Sequence, residues 1–368
     1  MKVVRSNVSP RSVCAGILFG VLLAASGCGK AEAPFPDDVP TLRMTTERIR
    51  GFDPAHAADQ ASILAVGKIY EGLLQYAYWD RPYRVEPLLA ASMPEVSPDG
   101  LLWRIPVRTG IYFSDDPCFV QTGGKGREVV AQDVVYSILR IADLKVGSGG
   151  YWAFRGKIQG LDEFREASRS DSPTEYDRGI EGLKAVGEHE LEIRLKAPYP
   201  QLPWVLAMPY TFVVPREAVE FYGSEFVNHP VGTGPYVLAG ARQNYRYEFR
   251  ENPKWKETGR EEYMPADAPT PDAGRRLPLV PRIVNSVVGD PSTAWLLFLS
   301  GQLDRVDVSR DQWDSIITPE KELRPELVSR GISLSKSPQL SVSYTAFNMD
   351  DPVVGSNKKL RQALTCAF

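Results

Sequence analysis

The chain has 368 residues, of which 43% are apolar and 24% charged, and its formal charge is −3. That length allows two domains or one large discontinuous domain with a sizeable core. A mildly acidic chain lacks the basic surface that nucleic-acid binding requires, so nucleic acid is excluded as an expected partner.

The N-terminus has the pattern of an export signal. Lys2, Arg5 and Arg11 come first, and residues 13–25 are an apolar run too short for a membrane-spanning helix, which needs about 20 residues. Small residues and Cys28 follow, a pattern that resembles the lipobox of bacterial lipoproteins, in which this cysteine is lipidated. The sequence predicts a signal peptide over 1–27, lipidation of Cys28 and a Pro-rich tether over 28–40; an ordinary signal cleaved nearby is the alternative.

Few cysteines remain in the predicted mature chain. Removing residues 1–27 takes away three basic and no acidic residues, so the formal charge becomes −6. Cys118 and Cys366 are far apart in the sequence, and we do not expect them to pair.

Strands and helices mix along the rest of the chain without strict alternation. Runs rich in β-branched and aromatic residues predict strands over 41–46, 101–113, 182–195, 244–250 and 282–290. Apolar residues at helical spacing predict helices within 59–76, 131–144 and 290–301. This mixture favours an α/β protein with a mixed sheet over a barrel.

Two weaker patterns concern capping and a long polar stretch. Ser172, Pro173 and Glu175 form a capping-box pattern, which predicts a short helix that ends by Gly179. Residues 254–279 are polar, contain several prolines and show no period, so they are interpreted as a surface insertion or long loop.

The stretch HPVGTGPYVL, residues 229–238, raises the question of a phosphate-binding loop. Gly234 is followed by Pro235, Tyr236 and a predicted strand, so no helix N-terminus can direct its amides at a phosphate. The glycine-rich loop at 123–127 also lacks the Ser or Thr of a P-loop. Neither stretch predicts nucleotide binding.

No other motif predicts catalysis or a metal. His56, His189 and His229 have no metal-ligand spacing, and no G-x-S-x-G elbow occurs. The adjacent acids at 115–116 and 261–262 are interpreted as solvated loop residues. We therefore predict no catalytic residue, metal or cofactor.

Tyr151 and Trp152 follow a glycine-rich stretch, in a loop where aromatic side chains have no obvious core to fill. Aromatic residues in loops beside a cleft are typical of binding pockets. We take this pair as a candidate ligand contact, with a structural role as the alternative.

Several segments together resemble the bacterial extracellular solute-binding proteins of family 5, the dipeptide and oligopeptide receptors of ABC importers. VGTGPYVL followed by a predicted hairpin and ENPKW carries the resemblance furthest. Segments in the family's order surround it, namely GFDPAHAADQASILAVGKIYEGLLQY, VSPDGLLWRIPVRTGIYFSDD, AQDVVYSILRIAD, LEIRLKAPYPQL, LSGQLD and FNMDDPVVGSNKKLRQAL. In this family the G-T-G-P-Y turn is structural, which answers the question raised by the two glycines.

The resemblance implies a two-lobed periplasmic-binding-protein-like (type II) α/β fold with mixed sheets, whose lobes close on a ligand. It assigns 41–50 and 186–308 to lobe I, 51–185 to an associated subdomain and 309–368 to the start of lobe II. Family members run on beyond the position of Phe368, so the second lobe is expected to be incomplete. Val130 replaces the family's usual Thr before the helix at 131, which weakens that N-cap.

The implied function is that of a substrate-binding lipoprotein, expected to be monomeric, in the periplasm or cell envelope. It would capture a peptide or similar small solute and deliver it to membrane permease subunits without changing it. Candidate ligand contacts are taken from loops beside the matched motifs: Glu47, Arg48, Arg50, Tyr151, Trp152 and Asp307. The arginines could pair with a ligand carboxylate. A ligand-sensing or surface-interaction lipoprotein of the same fold, and a secreted hydrolase, stay open as alternatives.

Overall fold

The computed structural model describes residues 2–5, 39–336, 342 and 344–367. Within them the helices are α1 Gln60–Ile69, α2 Ala131–Ala142, α3 Leu161–Ala167, α4 Leu202–Val205, α5 Arg216–Tyr222, α6 Pro253–Glu257, α7 Pro291–Leu299, α8 Trp313–Ile316, α9 Pro325–Val328 and α10 Lys358–Cys366. No helix in these ranges has the length and apolarity needed to cross a membrane.

The strands form one large sheet and two small ones. The strands are β1 Lys2–Arg5, β2 Thr41–Thr46, β3 Leu74–Tyr76, β4 Val85–Pro87, β5 Glu95–Val96, β6 Leu102–Pro106, β7 Leu183–Ala185, β8 Glu190–Arg194, β9 Tyr236–Arg242, β10 Arg246–Glu251, β11 Arg282–Val287, β12 Arg305–Asp307 and β13 Ile332–Ser335.

The large sheet has the order β13-β1-β12-β2-β11-β10-β9. Its central strand β2 is parallel to both β11 and β12, whereas the outer pairs are antiparallel. The sheet is therefore mixed, as predicted, and three parallel strands end together in its middle.

The second sheet, β5-β6-β8-β7, carries the associated subdomain. Leu191 and Ile193 on β8 are fully buried, as their alternation predicts, and they lie opposite Ile105 and Trp103 on β6. Helix α2 covers this sheet with an almost continuously buried surface. Its N-cap Val130 has no side-chain acceptor, but the Asp133 carboxylate accepts from the Val130 N–H. One of the two hydrogen bonds of a capping box is therefore present.

Two expected domain boundaries differ from the structure. The boundary at 185/186 falls inside the hairpin β7–β8, whose second strand pairs with β6, so the subdomain sheet continues to Arg194. The second lobe was expected from 309, but Ile316, Leu327 and Ile332 share an apolar cluster with Phe298, and β13 pairs in the large sheet. Burial against that sheet keeps 309–335 with it.

The glycines of the G-T-G-P-Y turn wrap the C-terminal end of α1. The Gly234 N–H donates to the Ile69 carbonyl at 2.8 Å, and a Cβ on Gly232 would lie 2.1 Å from that same oxygen. Only a residue without a side chain allows this approach. The turn is structural, and it also explains why α1 ends at Ile69 instead of continuing through Leu73 and Leu74.

A buried ion pair holds the other side of this turn. The Arg260 guanidinium donates to both carboxylate oxygens of Glu71 at 2.7 and 2.8 Å and to the Thr233 carbonyl at 3.1 Å. The Trp255 indole also donates to the Thr233 carbonyl. Residues 254–279 are thus not wholly a surface insertion, because Trp255 and Arg260 are buried against the turn.

The short helix predicted from Ser172 does not form. The chain makes a single 3-10 turn at Tyr176–Arg178, which ends at Gly179. The Tyr176 hydroxyl donates to Asp143 at 2.6 Å and its ring packs on Tyr136, and these tertiary contacts override the local capping pattern.

The predicted signal peptide, tether and lipid anchor fall largely outside the described residues. Residues 6–38, with Cys28, are not described, whereas Lys2–Arg5 form a strand of the large sheet. These features stay predictions. Cys118 is buried and Cys366 is exposed, and both are free thiols in this structure.

Candidate functional site

The site lies where the parallel strands of the large sheet end. Register places Val287 of β11 beside Thr46 of β2, and Arg305 of β12 beside Met44, so that Asp307 falls level with Thr46. In open α/β sheets, ligands bind beyond the carboxyl ends of parallel strands. The segment that follows β2 begins at this edge.

The segment 47–50 is anchored by its one apolar residue. Ile49 is buried and its carbonyl accepts from the Tyr247 hydroxyl at 3.2 Å. The two neighbours of Ile49, Arg48 and Arg50, lie at the surface. Both arginines are exposed, as is Glu47.

A cavity of about 490 Å³ opens here. Among the described residues its lining consists of Glu47, Arg48, Arg50 and Asp59. Three of the four were predicted from the sequence as ligand contacts, and the structure brings them together. The lining carries two positive and two negative side chains.

Asp59, which the sequence analysis did not select, has two roles. Its carboxylate accepts from the Ser62 N–H and hydroxyl and so caps α1, and its Oδ2 lies 3.9 Å from Arg50 Nε. Burial alone would raise the pKa of Asp59, but the bonds from Ser62 and the charge of Arg50 lower it. The D-x-x-S spacing before an apolar helix is the signal that could have found it.

Arg50 retains most of its hydrogen-bonding capacity. Its side chain is 81% exposed, and the 3.9 Å contact with Asp59 is too long for a direct hydrogen bond. A guanidinium has five N–H donors in a planar fork, which fits a carboxylate bidentately. The cavity therefore offers donors for an anionic ligand group.

Asp307 and Trp152 do not line this cavity. Asp307 is exposed at the same edge of the sheet, through its register with β2. Trp152 lies in the 3-10 segment Gly149–Ala153, which packs against the turn Pro54–His56 shortly after Arg50. Its side chain is 62% exposed and so is accessible to a ligand.

Tyr151 has structural partners that its sequence context did not indicate. Its hydroxyl bonds to Asp162 and its ring lies 4.1 Å from the Arg165 guanidinium, both on α3. Burial and the bond to Asp162 raise the pKa of Tyr151 well above its ordinary value. The expectation that this aromatic has no core to fill is wrong, because it packs against the main apolar cluster.

A buried network next to the cavity segment was missed by sequence reasoning. The Arg140 guanidinium on α2 donates to both oxygens of Asp53, at 3.0 and 2.7 Å, and His56 contacts the same carboxylate. Burial opposes ionisation of Asp53, but these bonds hold its pKa below the ordinary range. The partners lie 87 residues apart, so no local pattern could pair them. In the described ranges, no three His, Cys, Asp or Glu side chains cluster as a metal site would require.

The fold is shared with solved structures of peptide-binding proteins. The structure of OppA from Listeria monocytogenes bound to peptide matches with a TM-score of 0.59 at 21% identity, over 76% of this chain and 48% of that one. The pheromone receptor PrgZ, described with its mode of peptide binding, matches with the same TM-score and identity over 75% of this chain and 48% of that one. These likenesses define the class: a periplasmic-binding-protein-like α/β fold.

Sequence comparison gives the family. Residues 84–368 match the family model described as bacterial extracellular solute-binding proteins, family 5 Middle, and the chain belongs to this family. The predicted resemblance is confirmed. Periplasmic oligopeptide-binding protein OppA of Escherichia coli (strain K12) is 26% identical over 258 residues, 68% of this chain and 43% of that protein. Di/tripeptide-binding protein 2 of Pseudomonas aeruginosa (strain UCBPP-PA14) is 28% identical over 262 residues, which cover 67% of this chain and 43% of that protein. The chain spans less than half the length of these two relatives.

Proposed function

We propose that this chain is the solute-binding component of an ABC importer and that it captures peptides outside the cytoplasm for a membrane permease. Its family membership, and relatives named for oligopeptide and di/tripeptide binding, support this proposal. The observation that carries it is the cavity at the carboxyl edge of β2, lined by ionised groups of both signs.

The lining matches the chemistry of a zwitterionic peptide. Arg48 and Arg50 pair with the terminal carboxylate, and Glu47 or Asp59 with the amino group. Asp307 adds a contact at the same edge of the sheet, and Trp152 adds one from the segment packed on the turn Pro54–His56. A volume of about 490 Å³ falls in the usual range of small-ligand pockets. Binding and orientation are all that these residues do; no bond in the peptide is made or broken.

Delivery of the peptide to the permease depends on a shift of the protein from its open to its closed conformation. Ligand that binds the closed form more tightly shifts the protein toward it, and the permease recognises that form. A lipid on Cys28 holds the protein at the envelope membrane and keeps it near the permease.

The test is native mass spectrometry of the protein with an equimolar tripeptide library, offered once with free carboxyl ends and once with amidated ends. We expect the wild type to retain the free acids and to reject the amides. In Arg48→Ala and Arg50→Ala this preference falls about tenfold or more, because each charge-assisted bond to a carboxylate contributes about 1.5–3 kcal/mol.

Arg169→Ala is the matched control, since Arg169 is an exposed arginine just after α3 whose side chain, in the part of the chain that the structure describes, pairs only with Glu166. The released peptides should have unchanged masses, which separates a receptor from a hydrolase. Equal retention of acids and amides by the wild type would overturn the arginine assignment. A protein that retains no peptide from either library would overturn the peptide function.

A further inference from the structure

His56 occupies an unusual position between two hydrogen-bond acceptors. Its Nδ1 lies 3.2 Å from Asp53 Oδ2 and its Nε2 lies 2.6 Å from the Val146 carbonyl oxygen. A carbonyl oxygen only accepts, and Asp53 is held ionised by two bonds from Arg140. A neutral imidazole has one N–H, so only the doubly protonated ring satisfies both contacts.

This ring joins two segments that are distant in sequence. Asp53 and His56 belong to the turn that follows the cavity segment, whereas Val146 lies in the connection between α2 and the Gly149–Ala153 segment. The same two segments are joined once more, because the Ser148 hydroxyl donates to the Ala55 carbonyl at 2.6 Å. We call residues 143–152 the clasped segment; it ends at Trp152.

The charges around the ring favour its protonated form. Asp53 is attractive and Arg140 repulsive, and the bond to Asp53 is the largest influence that raises the pKa of His56. On the clasped segment, Lys145 bonds to Ser172 and Thr174, and Asp143 bonds to Tyr176. The Tyr151 hydroxyl is bonded to Asp162. The turn Pro209–Thr211 packs against the turn that holds His56, and Tyr210 is the titratable residue in it. The His56 side chain is 46% exposed, so protons can reach it.

We propose that His56 is a proton-dependent clasp: its imidazolium holds the clasped segment, and with it Trp152, against the turn beside the cavity, and loss of one proton releases the Val146 end. His56 is thus a positioning residue for Trp152. The consequence for ligand affinity rests on the proposed function, whereas the clasp itself does not.

The direction of the pH effect follows from linkage. The pKa of His56 is higher in the folded protein than its ordinary value, so the clasp is complete below about pH 6.5 and weakens as pH rises through the folded pKa. Because one proton is involved, the equilibrium constant for local opening rises by at most about tenfold per pH unit in that window.

The first measurement is the ¹⁵N NMR spectrum of the His56 ring, recorded without ligand between pH 5 and 9. The chain has three histidines, and the signal missing in His56→Gln assigns the ring. We expect both ring nitrogens protonated at pH 6 and a midpoint above the ordinary 6.5. A midpoint below 6.5 would overturn the proposal.

The second measurement is hydrogen exchange of amides in the clasped segment, such as Leu144 and Gly147, whose acceptors are Ser168 and the Asp143 carbonyl, corrected for the intrinsic pH dependence of exchange. The wild type should lose protection as pH rises. In His56→Gln, whose amide can still donate to Val146 but does not titrate, protection should be independent of pH. The same pH dependence in wild type and His56→Gln would contradict the clasp.

Ser148→Ala is the matched control, because it removes the other link between the two segments but no titrating group. It should lower protection at every pH and leave the pH dependence intact. All of these readouts are ligand-free, so a failed clasp and a failed peptide-binding function give different results. If both hold, peptide affinity falls with rising pH in the wild type and not in His56→Gln.

Discussion

Arginine meets carboxylates in two contrasting regions of this molecule. Behind the G-T-G-P-Y turn, Arg260 and Glu71 are nearly inaccessible, with side chains 4% and 6% exposed. The Arg260 guanidinium donates to both carboxylate oxygens of Glu71, to one of Glu262 and to the Thr233 carbonyl. At the cavity, the Arg50 side chain is 81% exposed, and among the described residues its one ionic partner is Asp59 at 3.9 Å. The same residue type is structural where burial saturates its donors, and it is available to a ligand where solvent occupies them.

The largest expected effect comes from breaking the buried pair. Arg260→Met keeps much of the side-chain volume but leaves the buried Glu71 carboxylate without its cationic partner and with only the Thr233 hydroxyl as a side-chain donor among the described residues. We expect the free energy of unfolding to fall by about 3–5 kcal/mol. Urea denaturation followed by tryptophan fluorescence measures it. A loss below about 1 kcal/mol would mean that the pair contributes little, and the contrast with Arg50 would lose its basis.

A smaller loss of stability is expected from adding a side chain where the G-T-G-P-Y turn contacts the C-terminal end of α1. In Gly232→Ala the new Cβ meets the Ile69 carbonyl oxygen, a backbone atom that cannot rotate away. We expect a loss of about 1–3 kcal/mol in the free energy of unfolding. Gly240→Ala on β9 is the control, since nothing lies within 4 Å of its Cβ position. Equal unfolding curves for the two variants would show that the close approach at Gly232 does not matter.

The smallest effect on stability is expected at the cavity. Arg50→Met makes the same chemical change as Arg260→Met, but at an exposed position, and should alter the free energy of unfolding by less than about 0.5 kcal/mol. The same variant should lose preference for peptides with free carboxyl ends, as measured on the tripeptide libraries. A large loss of stability would assign Arg50 a structural role instead.

Much of the fold could be predicted from local patterns. Helix α2, the strands within 182–195 and helix α7 within 290–301 follow from residue type and periodicity, and the structure has all three. The helix expected at Ser172 is absent because Tyr176 is drawn into contacts with Asp143 and Tyr136. Local capping contributes about 1 kcal/mol, which tertiary packing readily exceeds.

The candidate site was predictable in part. Glu47, Arg48 and Arg50 were selected because they lie in a loop beside a motif that resembles the family, and all three line one cavity in the structure. Asp59 was missed although its capping pattern is local. Tyr151 was interpreted as a free aromatic because its partners, Asp162 and Arg165, belong to another element, and sequence spacing does not show which elements touch.

The sequence by itself determined the family and the mixed α/β class, because these depend on residue type and short-range order. The need for glycine at 232 and 234 was decided by the tertiary structure, since a Cβ at either position would meet the backbone of Ile69. Only the tertiary structure decided which arginines have their N–H donors bonded to protein acceptors and which are exposed to solvent. It also brought Asp53, His56 and Arg140 to one point. The physical reason is that burial and charge pairing depend on distances between segments far apart in the chain, and those distances are set by packing of the whole core.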